Sequence, residues 1–215
     1  MPLLRQVEER VVQAWAANRR RQFSILSRFV TEAERAGGVV REVVDPQAVG
    51  FSIAALAKAQ GITLCQATDR DLARDVNLEA ALIEAGISLA AGPSPDGIVH
   101  AGIGVTRATA GVAETGSILL HLDEDEVDAR LLSMLPEIHV ALLHQDTVVD
   151  SLEEGLLLTR YLILRSSLQG RPSYCSWVTG PSRTADIERV LTIGVHGPRQ
   201  LHIFVLPPTG KGIGS

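Results

Sequence analysis

Val39-Val40-Arg41-Glu42-Val43-Val44, closed by Asp45-Pro46, decides the fold class of this chain. It is a β-branched run of strand length, ended by a turn dipeptide. Residues 47–60 follow with helical spacing, and Ile62-Thr63-Leu64-Cys65 reads as the next short strand. Strand, helix and strand within roughly thirty residues form the unit from which parallel sheets are built.

The alternation continues downstream. A helix near 76–85 ends at Gly86, and Ile87-Ser88-Leu89-Ala90-Ala91 follows as a strand. Ile98 to Ala101 and Ser117 to Leu122 read as strands, with a short helix from Ala108 to Ala113 between them. Glu137 to Leu143 is another strand, and Ser151-Leu152-Glu153-Glu154 is a capping box that opens a helix to about Leu168. Tyr174 to Val178, a helix near 184–191 and a strand from Gln200 to Leu206 complete the set. The pattern predicts an α/β fold: a mainly parallel sheet, helices on both faces, and ligands at the carboxyl ends of the strands.

Upstream, Leu4, Val7, Val11, Ala14 and Trp15 recur at three and four residues, as do Phe23, Leu26, Val30 and Ala33. Gly37-Gly38 closes that segment. The chain therefore divides into an N-terminal helical extension (1–37), an α/β domain (38–206) and a loose C-terminal tail (207–215).

Composition narrows the function classes. The 215 residues are 46% hydrophobic and 21% charged, which suits a packed core and argues against disorder. No apolar stretch approaches the roughly 18 residues that span a bilayer. Two cysteines, Cys65 and Cys175, make no disulfide framework and fit a reducing compartment. With an N-terminus that carries acids and lacks an apolar core, that predicts a cytoplasmic protein. A net charge of −5 and only eight aromatics exclude a uniformly basic nucleic-acid binder with a stacking platform. Charge is uneven, since residues 1–41 hold eight arginines against Glu8, Glu9, Glu32 and Glu34. This is either a basic arm for an acidic partner or a pair of solvated helices.

Two segments break the pattern with small and polar residues. In the first, Gly102-Ile103-Gly104 precedes Arg107, which fails the third glycine of a dinucleotide fingerprint. Further along it, Glu114-Thr115-Gly116-Ser117 places a carboxylate just before a turn. Glu114 there is a candidate nucleophile or general base, with Thr115 and Gly116 beside it, or else an acceptor that fixes its own loop. The second segment is Thr179-Gly180-Pro181-Ser182-Arg183-Thr184-Ala185-Asp186-Ile187-Glu188. Ser182, Arg183 and Thr184 at a helix start suit an anion, or simply a helix cap. His196, flanked by glycine in Gly194-Val195-His196-Gly197-Pro198, is a candidate for the same cleft. No Cys-x-x-Cys or His-x-x-x-His pair points to a metal.

These segments, with Arg130-Leu131-Leu132-Ser133-Met134-Leu135-Pro136-Glu137-Ile138-His139 between them, occur in an order that resembles the LutC/YkgG family. These are the stand-alone LUD-domain proteins of bacterial lactate utilisation, and the resemblance covers roughly residues 38–206. It implies a fold like the NagB/RpiA sugar-phosphate isomerases and CoA-transferases. It also implies a subunit or accessory role in L-lactate oxidation, beside partner proteins that carry the iron–sulfur clusters, with no cofactor bound by this chain. Where the family commonly has an acidic residue, this chain has Thr109. Two functions compete: an accessory of a lactate-oxidising complex that holds a small anion, or an independent cleft enzyme using Glu114.

Overall fold

The structure is a computed structural model that describes residues 2–91, 95–123, 127–184, 192–194 and 197–210. Six parallel strands make the main sheet, in the order β1 (Val39–Glu42), β12 (Gln200–Leu206), β7 (Ile138–His144), β4 (Ile103–Ala108), β2 (Leu64–Ala67) and β3 (Ser88–Ala91). Every pairing in it is parallel. The central strands β7 and β12 are near-continuous apolar runs, Ile-His-Val-Ala-Leu-Leu and Leu-His-Ile-Phe-Val-Leu, as strands covered on both faces must be.

Helices α3 (Ala48–Ala59), α4 (Arg70–Asp75) and α5 (Leu78–Glu84) cover one face, burying Val49, Ile53, Leu72 and Leu82 against Cys65, Val105, Val140 and Phe204. Helix α2 (Gln22–Arg35) lies on the other face. Its residues Ile25, Leu26, Phe29 and Ala33 meet Ala141, Leu143, Ile203 and Val205 of the main sheet. The same helix face also meets Ile118, Leu120 and Val148 of a second sheet. That second sheet has four strands, in the order β8 (Val148–Val149), β5 (Ala110–Val112), β6 (Ser117–Asp123) and β9 (Ser173–Val178). Helices α1 (Pro2–Arg19) and α8 (Leu152–Leu168) pack on it through Val7, Val11, Leu158 and Tyr161.

The apolar spacing placed Phe23 on the buried face of α2, but it is 88% exposed, while Phe29 is fully buried. The buried stripe is turned toward Ile25 and Phe29 because two sheets flank it. The predicted strand over Ile98–Ala101 is replaced by helix α6 (Pro95–His100). Pro95 suits a first helical position, and Ile98 and Ala101, three apart, are both buried while Val99 is exposed. The predicted helix over Ala108–Ala113 is instead the end of β4 and all of β5. Small residues are needed there because a side chain on Gly111 would press on Leu143 and Phe29, at 3.0 Å each.

Smaller differences have equally local causes. Strand β2 begins two residues late because Ile62 still closes α3, donating its N–H to Ala57 at 2.9 Å. The helix expected near 76–85 is α5, and Asn77, with φ of +52°, separates it from α4, a short helix the spacing did not show. Cys65 is buried, and burial pushes its thiol up to about 12, whereas Cys175 is only partly buried on β9. The expected helix near 184–191 lies, from residue 185 to 191, outside the described residues; Arg183–Thr184 (β10) pairs antiparallel with Thr192–Ile193 (β11).

Several of the N-terminal arginines pair with acids within the chain. Arg21 and Arg28 both pair with Asp150, and Arg10 lies 3.8 Å from Glu153. Residues 207–210 of the tail are tied down: Asp146 accepts from Thr209 and Gly210, and His144 Nδ1 donates to the Pro207 carbonyl at 2.7 Å. Among the described residues, no helix is long and apolar enough to cross a membrane.

The packing of α2 predicts a sharp contrast in unfolding experiments. Phe29→Ala will cost about 3–5 kcal/mol, the range for a fully buried aromatic, while Phe23→Ala will stay within about 0.5 kcal/mol of the parent. Urea unfolding followed by circular dichroism measures both.

Candidate functional site

Glu114 sits in the hairpin turn between β5 and β6, exposed to solvent. Its Oε2 accepts the N–H of Leu152, the first residue of α8, at 2.8 Å, and its own N–H donates to the Asp150 carbonyl at 3.0 Å. Ser151 caps the same helix by accepting from Glu154 N–H. The second half of the expected capping box is redirected, because Glu154 accepts instead from Asp150 N–H and from Asn18. Two carboxylates therefore meet the positive end of a 17-residue helix dipole. Glu114 does the work of a cap.

The rest of the turn is a packing device. Gly116 has φ +65°, and a Cβ on it would overlap the backbone of Glu32 and Ala33 at the end of α2. The Thr115 hydroxyl bonds Ser117 at 2.8 Å, and Ser117 bonds Thr179 at 2.6 Å. This hydroxyl chain joins the two segments that the sequence singled out.

The Thr179–Arg183 loop closes on the same helix end. Ser182 donates its N–H to Pro198 and accepts from Gly194, at 2.9 and 3.0 Å, so both groups are satisfied within the loop. The Arg183 guanidinium lies against Gly37, just past the end of α2, where a cation complements the last carbonyls. Among the described residues, Arg183 makes no ion pair with Glu114. Thr184 lies on β10, and His196 is outside the described residues.

This cluster lies where β1 and β12 begin: Gly38 precedes β1, and Arg199, which precedes β12, donates to Glu137. It is thus at the amino edge of the parallel sheet, opposite the end at which open parallel sheets bind ligands.

At the carboxyl edge, connections leave in opposite directions from neighbouring strands. The chain goes from β2 outward to β3, and from β4 by way of β5 and β6 to β7 on the other side. Such a reversal opens a crevice. A cavity of about 240 Å³ lies there, lined by Thr68, Asp69, Thr106, Arg107, Thr109 and His121. Asp69 caps α4, with Oδ1 accepting Leu72 N–H at 2.6 Å and Oδ2 accepting from Thr68 at 3.1 Å. Arg107 bonds Asp75 at 2.8 Å. Behind Thr106, its hydroxyl meets His139 Nε2 at 2.9 Å. Sequence reading missed this cavity because its lining comes from three separate segments, and only strand order brings them together. The one local signal was Arg107 and Thr109 at the end of an apolar stretch. Among the described residues, no three His, Cys, Asp or Glu side chains group to hold a metal ion.

His139 is wholly buried, and loss of hydration pushes its pKa from 6.5 down to about 4. Above pH 6.5 the ring is neutral both folded and unfolded, so it costs nothing. As pH falls from about 6.5 towards 4, the unfolded chain takes up a proton that the fold refuses, and stability drops. The full effect is about 3 kcal/mol. His202, held low by burial and then by the Arg41 charge, adds in the same direction. Unfolding midpoints measured from pH 7.5 to 4.5 will fall in that window, and His139→Asn will flatten the slope whatever it does to stability at neutral pH.

Comparison with known proteins agrees with this architecture. The LUD domain profile matches residues 26–206. Lactate utilization protein C of Deinococcus radiodurans is 35% identical over 102 residues, covering 47% of this chain and 45% of that protein. Lactate utilization protein C of Bacillus licheniformis is 36% identical over 99 residues, covering 46% of this chain and 40% of that protein. The match thus spans less than half the length of either relative. A crystal structure of a DUF162 family protein from Deinococcus radiodurans superposes with a TM-score of 0.58 at 22% identity, covering 86% of this chain and 98% of the other. With the profile running from α2 through the last strand of the sheet, the chain belongs to the LUD domain family.

Proposed function

We propose that this chain is a cytoplasmic accessory of bacterial L-lactate oxidation, acting beside iron–sulfur partner proteins that carry the electrons, and that it holds a small anionic ligand. The observation that carries this reading is its likeness to proteins named lactate utilization protein C. The geometry of Glu114 supports an accessory role over an independent enzyme. A nucleophile or general base must present a carboxylate oxygen to a reacting atom within a substrate site, and Glu114 is exposed on a turn at the amino edge of the sheet, away from the crevice. The Glu114 carboxylate instead accepts the first N–H of α8, and the turn around it is fixed on α2.

The test is reconstitution. Lactate-dependent reduction of an acceptor dye by the purified partner proteins will fall at least about tenfold without this chain, and adding the chain will restore it. Glu114→Gln keeps an acceptor oxygen for Leu152 and will restore activity as well as the parent does. Full dye reduction without the chain contradicts the accessory role. A folded but inactive Glu114→Gln protein points to the enzyme reading instead.

A further inference from the structure

Strand β9 is an open edge. It ends the four-stranded sheet and, among the described residues, pairs with β6 alone. At six residues it is the longest edge strand of the two sheets, and none of Ser173 to Val178 is buried. Such an edge offers a row of N–H and C=O groups to another chain unless charge, proline or a bulge blunts it. The edge strand β1 of the main sheet carries Arg41 and Glu42, whereas Ser-Tyr-Cys-Ser-Trp-Val has neither charge nor proline.

Helix α8 sets an apolar stripe beside that edge. Its buried face is Gly155, Leu158, Leu162 and Ser166. One flank faces α1, since Glu154 accepts from Asn18 and Tyr161 donates to Glu8. Helix α1 lies toward the β8 end of the sheet, where Trp15 bonds the Asp146 carbonyl just before β8. The opposite flank, toward β9, carries Leu152, Leu156, Thr159 and Ile163, spaced four, three and four residues apart. Leu152, Leu156 and Ile163 are 40%, 53% and 45% exposed. This is the spacing of a helix–helix seam, left open.

The stripe is complementary to itself. Glu153 and Arg160 lie on its solvent side, and Arg160 makes no ion pair among the described residues. Let two copies of α8 run antiparallel about a two-fold axis between Leu156 and Thr159. Leu152 then meets Ile163 of the second copy, and Leu156 meets its Thr159. Arg160 comes within a helical turn of Glu153 of the second copy, and symmetry repeats the pair. The same axis makes the two β9 strands antiparallel, so their outward backbone groups meet. Helix and strand are close enough to share it, since a side chain on Gly155 would press on Trp177.

We infer that the β9 edge and the α8 stripe form one interface, and that its occupant is a second copy of this chain. Pairing joins the two four-stranded sheets into one continuous sheet, with both α8 helices packed over the join.

Sedimentation velocity of the full chain tests this from about 1 to 100 μM, the weak end of the range for an interface of standard size. The mass will rise from 23.0 kDa to twice that value and stop there. Leu156→Glu, at an exposed position where the monomer tolerates change, will weaken the dimer at least about tenfold. Arg160→Glu will weaken it too, and adding Glu153→Arg to that variant will restore it. Circular dichroism confirms that each variant is folded. Hydrogen exchange reads the strand: β9 amides will exchange more slowly at the highest concentration than at the lowest, and Leu156→Glu will abolish the difference. A chain that stays monomeric, or an assembly that grows past two copies, overturns the inference. So does a dimer indifferent to Leu156→Glu, one that the charge exchange fails to restore, or one whose β9 amides gain no protection.

Discussion

Burial of one face of α2 between two sheets is the constraint on which the other features depend. Ile25, Leu26, Phe29 and Ala33 contact strands of both the six-stranded and the four-stranded sheet, so neither sheet has a complete core without the helix. Its far end is the meeting point of the two segments most distinctive in the sequence. Gly116 packs on Glu32 and Ala33, Gly180 on Ala36, and Arg183 on Gly37. Residue types that read as chemistry meet helix ends of matching sign: the Glu114 carboxylate accepts the first N–H of α8, and the Arg183 guanidinium lies against Gly37 past the last carbonyls of α2.

Electrostatics reinforces the same joint. The arginine excess of the N-terminal helices looks, in sequence, like an arm for an acidic partner. In the fold, Asp150 answers Arg21 and Arg28, and Glu153 approaches Arg10. These exposed pairs are each worth little, about 0–1 kcal/mol. Their value is in register, since they set α1 and α2 against the start of α8. The buried tie is Trp15, whose Nε1 donates to the Asp146 carbonyl at 2.8 Å.

Much of the main sheet was legible. Strands β7 and β12 announce themselves by unbroken apolar runs, α8 by Ser151, and the α/β class by the alternation from Val39 onward. In the second sheet β6 and β9 were legible as strands, but β5 was not, because it is built from Ala110-Gly111-Val112, a string whose small size is dictated by Phe29 and Leu143 overhead and whose local propensity says nothing about strands. The two motif segments touch through Ser117 and Thr179, but Glu114 turns to α8 and Arg183 to the end of α2, and neither that nor their end of the sheet was legible. Which edge a loop occupies depends on the direction of the strand beside it. That is a property of topology, which periodicity does not carry. The carboxyl-edge cavity was hidden for the same reason.

We propose that the ligand end of this protein is the carboxyl edge of the parallel sheet, with the conspicuous sequence motifs building the scaffold at the opposite edge. Amide chemical-shift mapping of the isotope-labelled chain during titration with L-lactate tests this most directly. The largest shifts will fall on Thr68, Arg107, Thr109 and His121. Shifts centred on Gly37, Gly180 and Arg183 would contradict it and return the site to the end of α2.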